Sequence, residues 1–539
     1  MKKVLVCGGG IAGLTAAHEL IKRGFDVKIL ERRDQVGGKA RSINVPDSEG
    51  STGNPLPGEH GFRFFPGFYK HLDETMASIP YKDNKRGVLD NLVPTSEMLF
   101  SRAFAQDIEL PSEPPENVRE FLSFFRAFTQ TLGISLLETL HFGRRMLSFL
   151  SSCEERRDAE LDNISWWNFI GAQTRSEGYR RFLGQGVTRS LVAMKAEVSS
   201  TRTIGAIYFQ MVSHLINPVS DVDRLLNGPT NDVWINPWKE HLLDLGVAFE
   251  QPWTINKLLL KDGKLDGIRA KKEGKGRNKT FKADYYVLSL PLESILELCT
   301  PAINESVPAL AALKNLKTEW MNGIQFFFDA DIEMSKGHGL FLDSPWALTS
   351  ISQAQFWKEP MSKYGDGNCK GLLSIVISDW KTPGVLYGRP AEKCSAEEIK
   401  EEVWEQLLRH LDAPFRKQLV EATLLDWFLD PAIVHPNPHE SVNLEPLLIN
   451  TVASWKDRPT SDVGIANAFL ASDFVRTHTD LATMESANEA AKRAVNEILK
   501  REGIFDRTNI MKMKEWKAMD PLKRIDKYRF RKGKKNLFS

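Results

Sequence analysis

Val4-Leu5-Val6-Cys7-Gly8-Gly9-Gly10-Ile11-Ala12-Gly13, answered by Val27-Lys28-Ile29-Leu30-Glu31, is the stretch on which the fold turns. The first apolar run suits a buried parallel strand. The glycines supply G-x-G-x-x-G, and Thr15 to Arg23 reads as a helix with Leu14, Ala17, Leu20 and Ile21 on its apolar face. Gly24 turns the chain into the second strand. Gly8 allows the tight turn, Gly10 lets backbone approach a phosphate, and Gly13 permits close helix–strand packing. The free N–H groups at the helix start, at Ile11 and Ala12, would face a pyrophosphate. Glu31 lies 18 residues after Gly13, where a carboxylate can accept both hydroxyls of an adenosine ribose. A glycine fingerprint alone also fits a merely tight turn; the strand–helix–strand–acid order favours a nucleotide.

Arg32-Arg33-Asp34-Gln35-Val36-Gly37-Gly38-Lys39-Ala40-Arg41 places a second glycine pair directly after the acid. Gly37 and Gly38, flanked by Lys39 and Ala40, would bring another backbone segment to the diphosphate. Arg41 offers a fixed fork of donors to a phosphate or to a flavin edge. These features favour FAD over NAD, with a glycine turn beside a solvated arginine as the plainer alternative.

Here the sequence resembles the flavin amine-oxidase and phytoene-desaturase superfamily, whose E-R-R-x-x-x-G-G-x-A-R run is matched at Glu31, Arg32, Gly37, Gly38 and Arg41. Gly58-Glu59-His60-Gly61-Phe62-Arg63-Phe64-Phe65-Pro66-Gly67-Phe68-Tyr69 looks closest to the carotenoid desaturase and hydroxysqualene dehydroxylase branch. The resemblance implies a loop beside the flavin ring, with Phe62, Phe64, Phe65 and Phe68 as an apolar wall. His60 and Arg63 are then the candidate catalytic groups, although hydride abstraction itself requires no histidine.

Farther on, Asn467-Ala468-Phe469-Leu470-Ala471-Ser472-Asp473 resembles the family strand ending in A-G-D, with Ser472 in place of glycine. It implies Asp473 near the diphosphate and ribityl chain. Thr483-Met484-Glu485-Ser486-Ala487 opens a helix whose start would lie under the flavin, with Met484 a backbone donor to the ring. Gly246 to Glu250, Thr254-Ile255, a hairpin at Lys261-Asp262-Gly263-Lys264 and the strand Ala283 to Pro291 complete the pattern. The backbone of Thr254 and Ile255 would contact adenine.

The expected fold is therefore α/β: a Rossmann-like FAD domain, discontinuous in sequence, with a mixed α+β substrate domain and a helical insertion. FAD-binding segments are assigned to residues 1–74, 226–295 and 456–505. A helical cap spans 75–225, a mixed substrate domain 296–455 and a basic tail 506–539. In the cap, Phe121 to Phe125, Leu136 to Leu140 and Ile204 to Leu215 read as helix, with Ser165 an N-cap. In the substrate domain Gly323 to Phe328 and Leu372 to Ile377 read as strands, and Ala396 to Leu411 as a helix. Val434-His435-Pro436-Asn437-Pro438 reads as a loop, because prolines interrupt regular hydrogen bonding. The spacing of His338, His435 and His439 matches no metal motif, so no metal is expected.

At 539 residues the chain needs two or three structural units. Lys plus Arg total 71 against 70 Asp plus Glu, so no basic footprint points to nucleic acid. Cys7, Cys153, Cys299, Cys369 and Cys394 are too widely spaced for a zinc ribbon or a CxxC centre, which suits a reducing, cytoplasmic setting. No run of about 18 apolar residues is present to span a bilayer. From Lys500 to Ser539 there are 14 Lys or Arg and five Asp or Glu, a net +9, interleaved with Trp516, Leu522, Ile525, Tyr528, Phe530, Leu537 and Phe538. This tail either contacts an anionic membrane peripherally, stays solvated, or packs across the FAD domain.

The functional expectation is desaturation, or related redox chemistry, of a hydrophobic small molecule of isoprenoid or lipid type by hydride transfer to flavin. The substrate class comes from the resemblance, and the sequence names no terminal electron acceptor. One alternative is an amine or amino-acid oxidase, with Arg63 meeting a carboxylate. Another is a reduced-flavin isomerase, whose product would keep the substrate's mass.

Overall fold

The computed structural model describes residues 1–111, 126, 129–215, 223–274 and 276–539. Strand β1 (Lys3–Cys7), helix α1 (Ile11–Ile21) and strand β2 (Asp26–Leu30) form the opening βαβ unit. α1 begins at Ile11, four residues before the expected Thr15, because the last fingerprint residues already form its first turn. β1 and β2 pair in parallel, Val4 opposite Val27. Three further parallel strands complete the sheet: Tyr285–Leu288 and then Ala468–Leu470 beyond β1, and Ala248–Glu250 beyond β2.

Both faces of this sheet are covered, as a parallel sheet requires. Val4 and Val6 join a core with α1 and the helix Met484–Arg501, while Leu5 and Cys7 join a second core with Trp253, Ile268 and Leu288. Strands Trp253–Lys261 and Lys264–Lys272 form the expected hairpin, with Asp262 and Gly263 both at positive φ in its turn.

A seven-stranded sheet forms the second body. Asn322–Phe328 and Gly371–Ile377 pair antiparallel as its second and third strands, Gly323 opposite Val376. The helix Ala396–His410, closed by a Ser395–Glu398 capping box, belongs to the same core. Two strands of this sheet, Glu97–Ser101 and Ile108–Pro111, come from the stretch read from sequence as helical cap. Their short apolar runs carry too few residues to distinguish strand from helix by period. Val434 to Pro438 also departs from its expected loop: Ile433–Asn437 is a strand paired with Glu440–Asn443. The ladder breaks register between Val434 and Asn437, and a two-stranded ribbon with such a break accommodates Pro436.

Helices Leu136–Ser151 and Thr201–Leu215 pack around Trp166, Tyr179 and Tyr208, and the Ser165 hydroxyl accepts from Asn168 N at 3.3 Å. The expected helix at Phe121 to Phe125 lies outside the described residues. The basic tail is packed instead of solvated. Its helix Asp520–Arg531 lies against Leu136–Ser151, so it covers the helical insertion more than the nucleotide domain.

Candidate functional site

The site begins at the β1–α1 turn. Gly8 has φ +103°, and a Cβ there would sit 2.5 Å from the Ser289 carbonyl oxygen. A Cβ on Gly13 would sit 1.9 Å from the Gly8 carbonyl oxygen. Gly13 therefore lets α1 press on its own entry turn and lies beneath the cavity, not on its surface. The first backbone bond into α1 runs from Leu14 N to Gly10 O, 2.9 Å, which leaves Ile11 and Ala12 N–H without a backbone acceptor among the described residues. Both residues line the cavity.

The second glycine pair folds onto the first. Gly37 N donates to Gly9 O at 2.8 Å, and a Cβ on Gly38 would approach Gly10 Cα to 3.0 Å. Glu31 is buried at the end of β2, where its carboxylate accepts from Gly9 N at 2.7 Å and Arg33 N at 2.9 Å. Trp253 N donates to Glu31 O, which brings Thr254 and Ile255 to the same rim.

Of the residues assigned to the cofactor from sequence, Gly8, Gly10, Ile11, Ala12, Glu31, Arg32, Gly37, Gly38, Lys39, Ala40, Thr254, Ile255, Asp473 and Met484 line one cavity. Arg41 does not. Its guanidinium is buried, donates to Gly38 O at 2.7 Å and meets the Glu445 carboxylate at 3.3 Å. Glu445 also pairs with Arg33 and lies 3.6 Å from Arg32. Burial, together with Arg41 and Arg32 close by, pulls Arg33 down to about 10. Glu445 belongs to no motif read from sequence. The only signal was three arginines in ten residues, which need a counter-charge when folded together.

Lys39 reaches Pro446 O at 2.5 Å and Glu293 at 3.6 Å. On the far rim, the Thr483 hydroxyl caps the helix Met484–Arg501 through Ser486 N at 3.1 Å, so the helix N-terminus opens on the cavity beside Asp473.

The loop from Gly58 to Tyr69 rests on the seven-stranded sheet. Gly323 N donates to His60 O at 2.8 Å, and a Cβ on Gly323 would come within 2.9 Å of Gly61 Cα. His60 lines the cavity, and its Nδ1 lies 2.5 Å from Asp430 Oδ2. Asp430 is buried and accepts from Asn322 Nδ2 at 2.5 Å and Ala432 N at 3.0 Å. Burial pulls His60 below the usual imidazole range, against the pull of Asp430. Burial would raise Asp430, but His60 and the donors hold it below the usual carboxylate range.

Arg63 also lines the cavity, donating to Glu59 Oε2 at 3.1 Å. Of the four loop phenylalanines only Phe62 lines the cavity. Phe65 is core against Trp234, ring centroids 5.6 Å apart, Phe64 stands edge-on to His338, and Phe68 packs beside Tyr69. Phe65 and Phe68 turn instead toward the core shared with α1. The rest of the apolar wall comes from Leu290, Met321, Val376 and Leu447, which sequence reasoning missed because they lie on separate elements.

Residues 6–79 match the family model of the NAD(P)-binding Rossmann-like domain. Over 94% of its length the chain is 23% identical to 15-cis-phytoene desaturase of Synechococcus elongatus, covering 97% of that protein. It is 39% identical over 77 residues to carotenoid phi-ring synthase of Chlorobaculum tepidum, which is 14% of this chain and 11% of that one. Among solved structures, putrescine oxidase superposes with a TM-score of 0.62 at 14% identity, covering 93% of this chain and 99% of the oxidase. Fold and site together define a Rossmann-type oxidoreductase related to the amine-oxidase and phytoene-desaturase proteins, with a site suited to a flavin cofactor.

Proposed function

We propose that the protein is an FAD-dependent oxidoreductase acting on an uncharged, hydrophobic substrate, with an isoprenoid-like chain as the substrate class. The supporting observation is a single cavity that runs from the glycine turns and Asp473 to the wall of Phe62, Met321, Val376 and Leu447. The glycine cradle, the two helix starts and the guanidinium groups of Arg32 and Arg33 fit a diphosphate. Glu31 fits a ribose.

Bound FAD would supply a two-electron acceptor for a hydride leaving a substrate C–H bond. The chain's part is to hold the substrate and exclude water. The apolar wall aligns a chain with few polar handles. Desaturation also releases a proton, and His60 is placed to accept it at Nε2 because Nδ1 is turned to Asp430.

A second reading, amine oxidation, draws support from the likeness to putrescine oxidase. The apolar wall favours the first: Phe62, Met321, Val376 and Leu447 suit a hydrocarbon chain, and Glu445 and Glu293, which also line the cavity, are turned to arginines and to Lys39.

The test has two stages. Heat-denatured protein should release FAD, identified by mass; with no flavin found after reconstitution, the nucleotide assignment fails. Anaerobic protein is then mixed with a detergent-dispersed acyclic isoprenoid hydrocarbon or with an aliphatic amine. Flavin bleaching by the hydrocarbon, with a product lighter by two hydrogens, is expected. Bleaching by the amine alone, with hydrogen peroxide on admitting air, would establish the second reading. A product of unchanged mass would mean isomerisation.

A further inference from the structure

The packed tail turns its polarity inside out. In the helix Asp520–Arg531, Asp526 is buried, with its carboxylate 3.0 Å from Arg156 Nε. The same guanidinium lies over the Phe530 ring at 5.2 Å. Glu515 is likewise spent on Arg157 and Lys523, and Glu155 pairs with Lys527 at the surface. Asp520, in the first turn, stands 3.9 Å from Lys523.

Arg524, Ile525, Tyr528, Arg531 and Lys532 are left exposed, within roughly 120° of one another around the helix. Tyr528 is 64% exposed. That face carries cations, an aliphatic chain and an aromatic ring, and no acid.

A second strip adjoins it on the helix Leu136–Ser151. Leu136, Leu137, Leu140 and Leu147 are exposed, Leu137 at 77% and Leu140 at 61%, and they share an arc of roughly 100° with Arg144. Arg144 Nε donates to Phe538 O at 3.0 Å, and Asn536 is buried against Ser151 and Ser152. These contacts lay exposed Leu537 beside the leucine strip. Lys534 and Lys535 are exposed at the same junction. A folded core has no use for leucines set outward in a row, and a protein surface seldom leaves them uncovered.

We infer that this composite face docks on an anionic lipid bilayer: the leucine strip enters the acyl boundary, Tyr528 sits at headgroup depth, and the cations meet lipid phosphates. The charge pattern selects this occupant. A bilayer presents apolar and anionic groups side by side over any length, which suits a strip of leucines bordered by lysines and arginines. Among the described residues no helix is long and apolar enough to cross a membrane, so the attachment is peripheral. The inference does not depend on the redox assignment.

The experiment is flotation of the full chain with vesicles of phosphatidylcholine alone or mixed with phosphatidylglycerol, at low and high salt. Binding to the anionic vesicles, weakened by salt, is expected. Arg524→Glu/Arg531→Glu/Lys532→Glu should lower the partition coefficient on the order of a hundredfold. Leu137→Ser/Leu140→Ser should remove the binding that persists at high salt. Far-ultraviolet circular dichroism checks folding, and Ile525→Ser/Tyr528→Ser, which adds no charge, stands in should the reversed variant misfold. Equal binding to both vesicle types, or variants that float like the parent, overturns the inference. So does a leucine variant that floats unchanged but converts a sedimenting dimer to monomer, since the face then pairs two copies of the chain.

Discussion

The Glu445 carboxylate stands 3.3 Å from the Arg41 guanidinium across 404 residues of sequence, and both groups are buried. This one acid also answers Arg32 and Arg33 on the rim of the nucleotide cavity. Glu445→Ala should therefore cost the cofactor-free protein about 3–5 kcal/mol, the usual penalty for stranding a buried ion. Added FAD brings a diphosphate to the same cations, so the rise in melting temperature on adding FAD should be larger in the variant than in the parent. Differential scanning fluorimetry with and without FAD measures it; an equal rise in both would mean that the diphosphate does not meet these arginines.

Gly10→Asp should weaken FAD retention by tenfold or more, since a carboxylate would then face the diphosphate at the turn. Gly13→Ala should also lose FAD, for a different reason: its Cβ would collide with the Gly8 carbonyl and lift α1 from β1. Equilibrium dialysis reads both. Parent-like retention by either variant would contradict the geometry of this turn.

His60→Gln and Asp430→Asn test the proton-accepting pair. Each should slow substrate-dependent flavin reduction by about a hundredfold, the low end for a lost general base. The parent rate should be flat above neutral pH and fall as acid protonates His60. Asp430 is the group that raises the His60 pKa against burial, so Asp430→Asn should move this limb to lower pH. Arg63 and Lys39 act on His60 in the opposite sense, and Glu445 lies 4.0 Å away, so those residues must stay in place. An unmoved limb with an unchanged rate would exclude His60 as the base.

His18 carries a stability prediction. It is buried in α1, its Nδ1 accepts from Trp238 Nε1 at 3.2 Å, and burial, with Lys22 and His241 adding repulsion, pulls it down to about 3. The folded state thus holds neutral His18, while the unfolded chain binds a proton near the ordinary 6.5. Stability is full above that value and is lost as pH falls toward 3, since the unfolded state binds more protons throughout the window. Between about pH 7.5 and about pH 5.5 the loss from this group is about 1.4 kcal/mol. His18→Gln keeps an acceptor for Trp238 without a titrating group, so urea unfolding of the variant should show a shallower acid dependence.

Much of the nucleotide half could be read from sequence because its signals are local. Gly8, Gly13 and Glu31 lie within one βαβ unit, and Asp262-Gly263 specifies its own turn. Asp473 and Met484 were found through family resemblance, since nothing in their neighbours specifies a cavity. What was missed depends on distant partners. Asp430 and Glu445 gain meaning only when the loop holding His60 crosses the seven-stranded sheet. Arg41 looked like a phosphate ligand until Glu445 supplied its counter-charge. Glu97–Ser101 was read into a helical cap because a five-residue apolar run has no resolvable period, and only pairing with Gly339–Phe341 fixes it as a strand.

The central sheet joins strands Lys3–Cys7 and Ala468–Leu470 through Tyr285–Leu288. During synthesis the glycine turn leaves the ribosome more than 400 residues before the edge strand of its sheet and the helix that closes the cavity. A nascent chain therefore carries an incomplete nucleotide site until the helix Met484–Arg501 has been made. At about 5–20 residues per second that interval lasts tens of seconds. Closure of the cavity is a late event, and chaperones have their longest opportunity at β1 and β2.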